Sequence, residues 1–358
     1  MKRINSLKLA FTFAGCFLGA GYVSGQELWQ FFGSFGTSGL GGIILAVIIL
    51  VIFGTLLIRT AQLKGVSEMD KVVISSDSKF MRGLFISLEI FFLFGIYVVM
   101  TAGAGALLNQ IFALPGIIGN ICFAVVVTAI ALAGMNGMIT AFSITVPLMV
   151  IMSLIVFAVT AVNGGLNHIS FSTVTNDNPL ISNWIISAVV FASYNLFASI
   201  GIMTPLGEKI SRKSTLYIGI ISGGVMLLLI AFSVIFSLAS QIETVSTQLP
   251  MLAKASSLGT AFQYIFAFLL FGGMLGTSVS SVFAIAEYIR IKKDITENRN
   301  RIIIILMSVL SVFGSMFGFN KLIGTVYPIC GYLGFIGMVL IAINYTKAVK
   351  NAGVQEVK

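Results

Sequence analysis

Ala14-Gly15-Cys16-Phe17-Leu18-Gly19-Ala20-Gly21-Tyr22-Val23-Ser24-Gly25-Gln26-Glu27 lies within the first apolar run of the chain, and its reading decides the fold. Gly15, Gly19, Gly21 and Gly25 fall within eleven residues. Each glycine weakens a helix by about 1 kcal/mol relative to alanine. Gly15/Gly19 and Gly21/Gly25 are also GxxxG pairs, which suit close packing of membrane helices. The polar residues Ser24, Gln26 and Glu27 close behind them favour a second reading, a helix interrupted in mid-membrane. Such a break frees carbonyls for a cation and turns the amides of the next half-helix toward a carboxylate.

The rest of the chain makes the membrane assignment. Of 358 residues, 58% are hydrophobic and 9% charged, and the mean hydropathy is +1.05. A soluble domain carries about 25% charged residues, so a soluble globular protein, a disordered chain and a nucleic-acid binder are excluded. A spanning helix needs about 20 apolar residues. Ten segments meet that need: 7–32, 39–59, 82–111, 115–134, 138–162, 181–207, 214–240, 258–289, 301–318 and 322–346. Lipid offers no partner to unpaired backbone groups, so the expected fold class is all-α integral membrane. Lys2 and Arg3 ahead of Phe13-Ala14-Gly15-Cys16 faintly resemble a lipoprotein signal. The run is short and glycine-interrupted, and nine segments follow, so it reads as a retained first helix.

Charge placement sets the topology. With the N-terminus inside, nineteen Lys and Arg fall in inner loops and tails, against Lys254 and Lys321 outside. This satisfies the positive-inside rule, puts both termini in the cytoplasm and supports an even number of spans. The net charge of +9 is then topological, with contact to anionic lipid as a further role. Cys16, Cys122 and Cys330 lie in apolar runs without CxxC spacing and read as inert thiols. His168, the only histidine, sits in a polar loop, which leaves little basis for histidine chemistry. Residues 243–254 read as a loop, with a partly helical lid as the alternative.

Segment 181–207 carries Ser193-Tyr194-Asn195, Ser199, Gly201 and Pro205, a second set of helix-breaking signals. Interrupted spans at matching positions of two halves point to an inverted-repeat transporter. The expectation is one transporter domain, 1–358, with repeats at about 7–162 and 181–346 and breaks in helices 1 and 6.

Glu27 is the only acid in the outer half of a span. A charge at mid-membrane costs about 2.5–3.5 kcal/mol, so it faces a cavity or a partner. Its candidate roles are binding an amine, carrying a proton, gating, or a structural hydrogen bond. Glu89 lies near the cytoplasmic end of its segment, which suits an interfacial or inner-gate role. Thr277, Ser278, Ser280 and Ser281 place four hydroxyls in five residues after Met274. They bond preceding carbonyls, or two of them join a Na⁺ site, since a hard cation takes oxygen ligands. Tyr97, central in its segment, either hydrogen-bonds within the bundle or meets substrate.

Gly19-Ala20-Gly21-Tyr22-Val23-Ser24-Gly25-Gln26-Glu27, with the ten-segment pattern, resembles the YkvI-like bacterial membrane proteins. That group resembles a branch of the amino acid–polyamine–organocation (APC) superfamily, whose architecture is the LeuT-type 5+5 inverted repeat. The resemblance implies site residues. Ala14 to Gly21 is similar to the sodium-coupled motif, with Leu18 in place of valine. Sodium ligands would fall on the carbonyls of Gly15, Leu18 and Met274 and the hydroxyls of Thr277 and Ser278. Proton-coupled relatives can carry a lysine on helix 5; segment 138–162 has none, which favours Na⁺. A second sodium site is expected to be absent, because Tyr22 replaces its asparagine and segment 7 has no Asn. Substrate contacts would fall on Gly19, Ala20, Gly21, Tyr22, Ser24, Glu27, Tyr97 and the helix-6 region Phe191, Ser193, Tyr194 and Asn195. Glu27 departs from the sodium-coupled pattern.

The expected function is a secondary active transporter of the bacterial plasma membrane, moving a small amino acid or related solute by alternating access. One Na⁺ between helices 1 and 8 is the coupling ion, and no other cofactor is expected. A four-helix bundle of helices 1, 2, 6 and 7 would rock against the rest. GxxxxGK[ST] is absent, so ATP is not the expected drive. The alternatives are an H⁺-coupled carrier using Glu27 and a receptor on a transporter fold. An enzyme is disfavoured, since no catalytic constellation is visible.

Overall fold

Helix-breaking and capping residues determine where the chain turns. The structure, a computed structural model, describes residues 4–66, 69–74, 79–133, 138–169, 171 and 178–356. Lys2, Arg3, Lys358, the side chain of His168 and residues 172–177 of the 163–180 loop lie outside the described residues. The helices run α1 Ser6–Phe17, α2 Ala20–Val23, α3 Gln26–Phe31, α4 Thr37–Lys64, α5 Met69–Val73, α6 Lys79–Phe112, α7 Gly116–Ala133 and α8 Met138–Val162. They continue as α9 Trp184–Met203, α10 Leu206–Lys209, α11 Lys213–Ala239, α12 Pro250–Leu258, α13 Thr260–Lys293, α14 Glu297–Ser315 and α15 Phe319–Glu356. Each of the ten apolar segments is thus helical. Among the described residues, six helices are long and apolar enough to cross a membrane, and Ser6–Phe17, Gly116–Leu132 and Val146–Val162 are shorter apolar helices. The protein is a multi-pass membrane protein.

Local chemistry explains the boundaries. Asn183 caps α9 by accepting the N–H groups of Ile185 and Ile186 at 3.0 and 2.9 Å, satisfying donors that the first turn leaves free. Pro250 opens α12 at a position where its missing N–H costs nothing. The stretch 243–254, read as a loop, instead forms a 3₁₀ turn, Ile242–Ser246, and the first half of α12. The partly helical alternative is the one that the structure takes.

Segment 6 departs from expectation. Helix α9 runs unbroken through Ser193-Tyr194-Asn195, and the chain turns only at Thr204-Pro205. The polar side chains there stay inside the helix. Ser193 Oγ donates to Val189 O at 2.6 Å, Asn195 Nδ2 to Phe191 O at 3.0 Å, and Ser199 Oγ to Leu196 O at 2.7 Å. Side chains that bond the preceding turn leave the backbone ladder whole.

Helices α1, α4, α9 and α11 pack on one another, and α6, α7, α13 and α14 form a second group. Helix α15 lies against α9, α4 and α6, joining the two. Close approach of α1 and α11 needs glycine on α11. A Cβ at Gly219 would stand 2.7 Å from Leu9 Cδ2, and one at Gly223 would stand 2.8 Å from Phe13 Cδ1. The small-residue packing considered for Gly15 and Gly19 is thus supplied by the partner helix, which leaves the glycines of the first segment for another task.

Candidate functional site

That task is the break. Helix α1 ends at Phe17, and Leu18 N–H still bonds Ala14 O at 3.0 Å. Gly19 is extended (φ −75°, ψ 172°), and its N–H turns back to Phe17 O at 2.9 Å instead of reaching Gly15. Among the described residues, no backbone N–H reaches the carbonyls of Gly15 and Leu18. Four helical residues later the chain breaks again at Ser24-Gly25, where Gly25 takes φ +80°. Only glycine adopts that left-handed conformation without a Cβ penalty. A side chain at Gly25 would also meet Leu238 Cδ1 at 2.7 Å and Met251 Cγ at 3.0 Å. The Ser24 carbonyl, free of helix, accepts the Met251 N–H of α12 at 2.8 Å.

Helix α3 then carries Glu27 into the core, 3% exposed. The Tyr194 hydroxyl donates to Glu27 Oε1, and the Asn195 carboxamide stands beside the carboxylate while donating to Phe191 O. Gly21 is what admits that carboxylate, since a Cβ there would stand 2.5 Å from Glu27 Oε2. Aromatic rings close the site. Tyr194 lies 4.8 Å from Tyr327, 5.5 Å from Phe191, 5.7 Å from Phe31 and 6.3 Å from Phe92, centroid to centroid. Tyr22 packs 6.1 Å from Phe191, and its hydroxyl donates to Leu227 O on α11 at 2.8 Å. No Lys, Arg or His pairs with Glu27 among the described residues.

Gly21, Tyr22, Glu27, Phe191, Tyr194 and Asn195 therefore converge, with Gly19 and Ala20 on the adjoining turn. Three expected contacts stand elsewhere. Ser24 Oγ is spent on Gly21 O at 3.1 Å. Ser193 faces α15, with its hydroxyl 3.1 Å from Met338 Sδ. Tyr97 stands apart from the Glu27 cluster: its hydroxyl donates to Ser308 Oγ at 3.0 Å, and Thr128 Oγ1 bonds the same serine at 2.6 Å. Tyr97 thus ties α6 to α14 and α7, one of the two readings open in the sequence. The reason is helical phase. Phe92 faces Tyr194, and five residues along a helix of 3.6 per turn rotate a side chain about 140° away. Tyr327, Phe31 and Phe92 were missed. A second mid-span tyrosine, next to Pro328, was the visible signal for the first of these. Glu89 is buried, at 3% exposure.

On α13, Met274 and Ser278 are fully buried. Thr277 Oγ1 donates to Gly273 O at 2.9 Å, which uses its proton and leaves lone pairs for a cation. Ser278 Oγ is buried with no hydrogen-bond partner, an arrangement that folded proteins avoid unless something fills it. Helix α13 packs against α2, which follows directly on the break. Among the described residues, no three His, Cys, Asp or Glu side chains gather as a metal cluster.

A broken first helix inside this arrangement of helices is the LeuT-type architecture. The structure aligns with a substrate-bound, outward-open Na⁺-coupled sialic acid symporter at TM-score 0.66 and 11% identity, covering 98% of this chain and 90% of the other. It aligns with MhsT in complex with L-phenylalanine at TM-score 0.64 and 14% identity, covering 95% and 89%. In sequence the chain is similar to YkvI of Bacillus subtilis (strain 168), an uncharacterized membrane protein, at 25% identity over 345 residues, 94% of this chain and 95% of the relative. No family model matches. The chain is thus similar in sequence to the YkvI membrane protein over nearly its whole length, and its fold is of the LeuT type.

Proposed function

We propose that this protein is a secondary active transporter of a bacterial plasma membrane. It carries a small amino acid or related zwitterionic or cationic solute by alternating access, probed below by its ion dependence. The observation that carries this reading is the twice-broken first helix, which sets a buried carboxylate and freed backbone groups in the middle of a transporter fold. In this reading the ten helical segments form two inverted five-helix repeats, and both termini are cytoplasmic. Helices α1–α3, α4, α9 and α11 rock as a bundle against the others. Because α9 is a continuous rod, its motion is taken up at Thr204-Pro205. The substrate sits beside Gly21, with its ammonium at Glu27 and any carboxylate at the amides of Ala20 to Tyr22, the Gly19 N–H being held by Phe17 O.

One Na⁺ would lie between helices 1 and 8, on the carbonyls of Gly15, Leu18 and Met274 and the hydroxyls of Thr277 and Ser278. The unpartnered Ser278 hydroxyl supports this assignment. A bound ion there holds α1 and α13 together in the substrate-ready state. Nothing in the site suggests catalysis, so the protein is read as a carrier and not an enzyme. A thermal-stability screen of the purified protein tests the reading. Amino acids and small organic cations are compared in Na⁺ and in choline, since a binder raises the melting point by mass action. The expected result is stabilisation by a solute only in Na⁺, followed by Na⁺-driven uptake in proteoliposomes. Solute binding without flux would make the protein a receptor on a transporter fold. The second reading, H⁺ coupling, is favoured by the absence of a basic partner for Glu27, and pH-driven uptake indifferent to Na⁺ would establish it.

A further inference from the structure

Glu27 poses a charge problem that the sodium site does not solve. It is buried on α3, and every group facing it is uncharged. From α2 comes Tyr22, from α9 Tyr194 and Asn195, and from α15 Tyr327 with Cys330 beside it. From α11, Val234 and Leu238 close the side next to Gly25. Phenol donors and a carboxamide orient a carboxylate, but they do not neutralise it. In a medium as apolar as a membrane protein's core, a lone carboxylate recruits either a proton or a cation.

The enclosure specifies the kind of cation. Tyr194, whose hydroxyl holds the carboxylate, sits among aromatic rings: Phe31, Phe191 and Tyr194 lie 5.5–5.7 Å from one another, and Tyr327 lies 4.8 Å from Tyr194. Aromatic faces attract an organic ammonium, whose carbon skeleton they also solvate. A metal ion would call for more oxygen ligands than one carboxylate and its phenols supply. Gly21 lies against the second carboxylate oxygen, Oε2, so the side of the carboxylate that faces the break carries no side chain from Gly21.

We propose that Glu27 is an exchange site at which an organic ammonium and a proton replace one another. The inference deepens the transport reading and rests on it for the claim of coupling. Binding converts Glu27–CO₂H and R–NH₃⁺ into the ion pair Glu27–CO₂⁻···⁺H₃N–R and releases one proton to solvent. The ammonium keeps its own hydrogens; the proton set free is the carboxyl's. Tyr194 holds Oε1 in both states, so the carboxylate does not swing when its partner changes. A carrier built this way returns empty with Glu27 protonated, and proton movement opposes amine movement.

The test uses full-length protein in detergent micelles, weakly buffered with a pH-indicator dye. The probes are ethylammonium, butylammonium and phenethylammonium, with phenethyl alcohol as the uncharged counterpart. At acidic pH, each bound amine is expected to release one proton, and apparent amine affinity is expected to rise about tenfold per pH unit there. Phenethyl alcohol is expected to release none. Glu27→Gln should abolish proton release and weaken amine binding at least thirtyfold while keeping a cooperative melt. Glu27→Asp should retain proton release at reduced affinity, which separates a charge requirement from a misfolded site. Amine binding without proton release, unchanged binding in Glu27→Gln, or no binding by any of the three amines would overturn the proposal. Flux in proteoliposomes separates the two claims. Amine carried without counter-movement of protons refutes exchange and leaves transport standing. Proton release on binding without any flux refutes transport and leaves the exchange site standing.

Discussion

Replacing Ser278 by alanine should push stability in opposite directions with and without sodium. The hydroxyl is fully buried and has no partner. An unsatisfied buried hydroxyl costs about 1–3 kcal/mol, so its removal should stabilise the ion-free protein by about 1 kcal/mol. For a chain of this size that is a rise in melting temperature of about 1–2 °C. In the wild type, sodium at ten times its dissociation constant should add about 1.4 kcal/mol, from RT ln(1 + [L]/Kd). Ser278→Ala forfeits most of that gain. The assay is a melting curve at rising NaCl, with choline chloride holding ionic strength constant. The two proteins should start with the variant above and cross as sodium rises. A variant below the wild type in choline, or two parallel sodium responses, would refute both the empty-ligand argument and the site.

Three further outcomes are expected. Gly25→Ala should lose about 2–4 kcal/mol in denaturant unfolding, combining left-handed strain with overpacking against Leu238 and Met251. Tyr97→Phe should lower stability by about 1 kcal/mol through the Ser308 bond while leaving ligand affinity within about twofold; a tenfold loss of affinity would return Tyr97 to the substrate site. Lys254, buried on α12 between Ser240 and Gln241, has its pKa lowered by burial from 10.5. Folded protein then binds this proton less tightly than unfolded protein. Stability should therefore rise with pH between the folded and unfolded values, and Lys254→Met should flatten that rise in a pH series of melting curves.

The breaks in helix 1 were legible because glycine acts locally. Gly25 interrupts the helix through its own left-handed dihedral angle, and Gly19, in extended backbone, contributes the low helix propensity of glycine. Segment 6 misled because serine and asparagine are ambiguous signals. Their side chains break a helix in one setting and, as at Ser193 and Asn195, bond the preceding turn in another. Only the tertiary neighbourhood decides between the two. Glu27 was recognisable from its cost alone, whereas its companion Tyr327 comes from a helix three hundred residues away along the chain, on a face that composition does not identify. The same limit applies to Tyr97: spacing put it at mid-membrane depth, and helical phase turned it toward Ser308.

The bond from Met251 N–H to the Ser24 carbonyl has a use of its own. That amide hydrogen is shielded by one acceptor, and the acceptor belongs to the second joint of helix 1. When the joint straightens or α12 lifts, the hydrogen meets water and exchanges for deuterium. A single backbone position thus serves as a stopwatch for opening at that end, readable by mass spectrometry without a dye or a known solute.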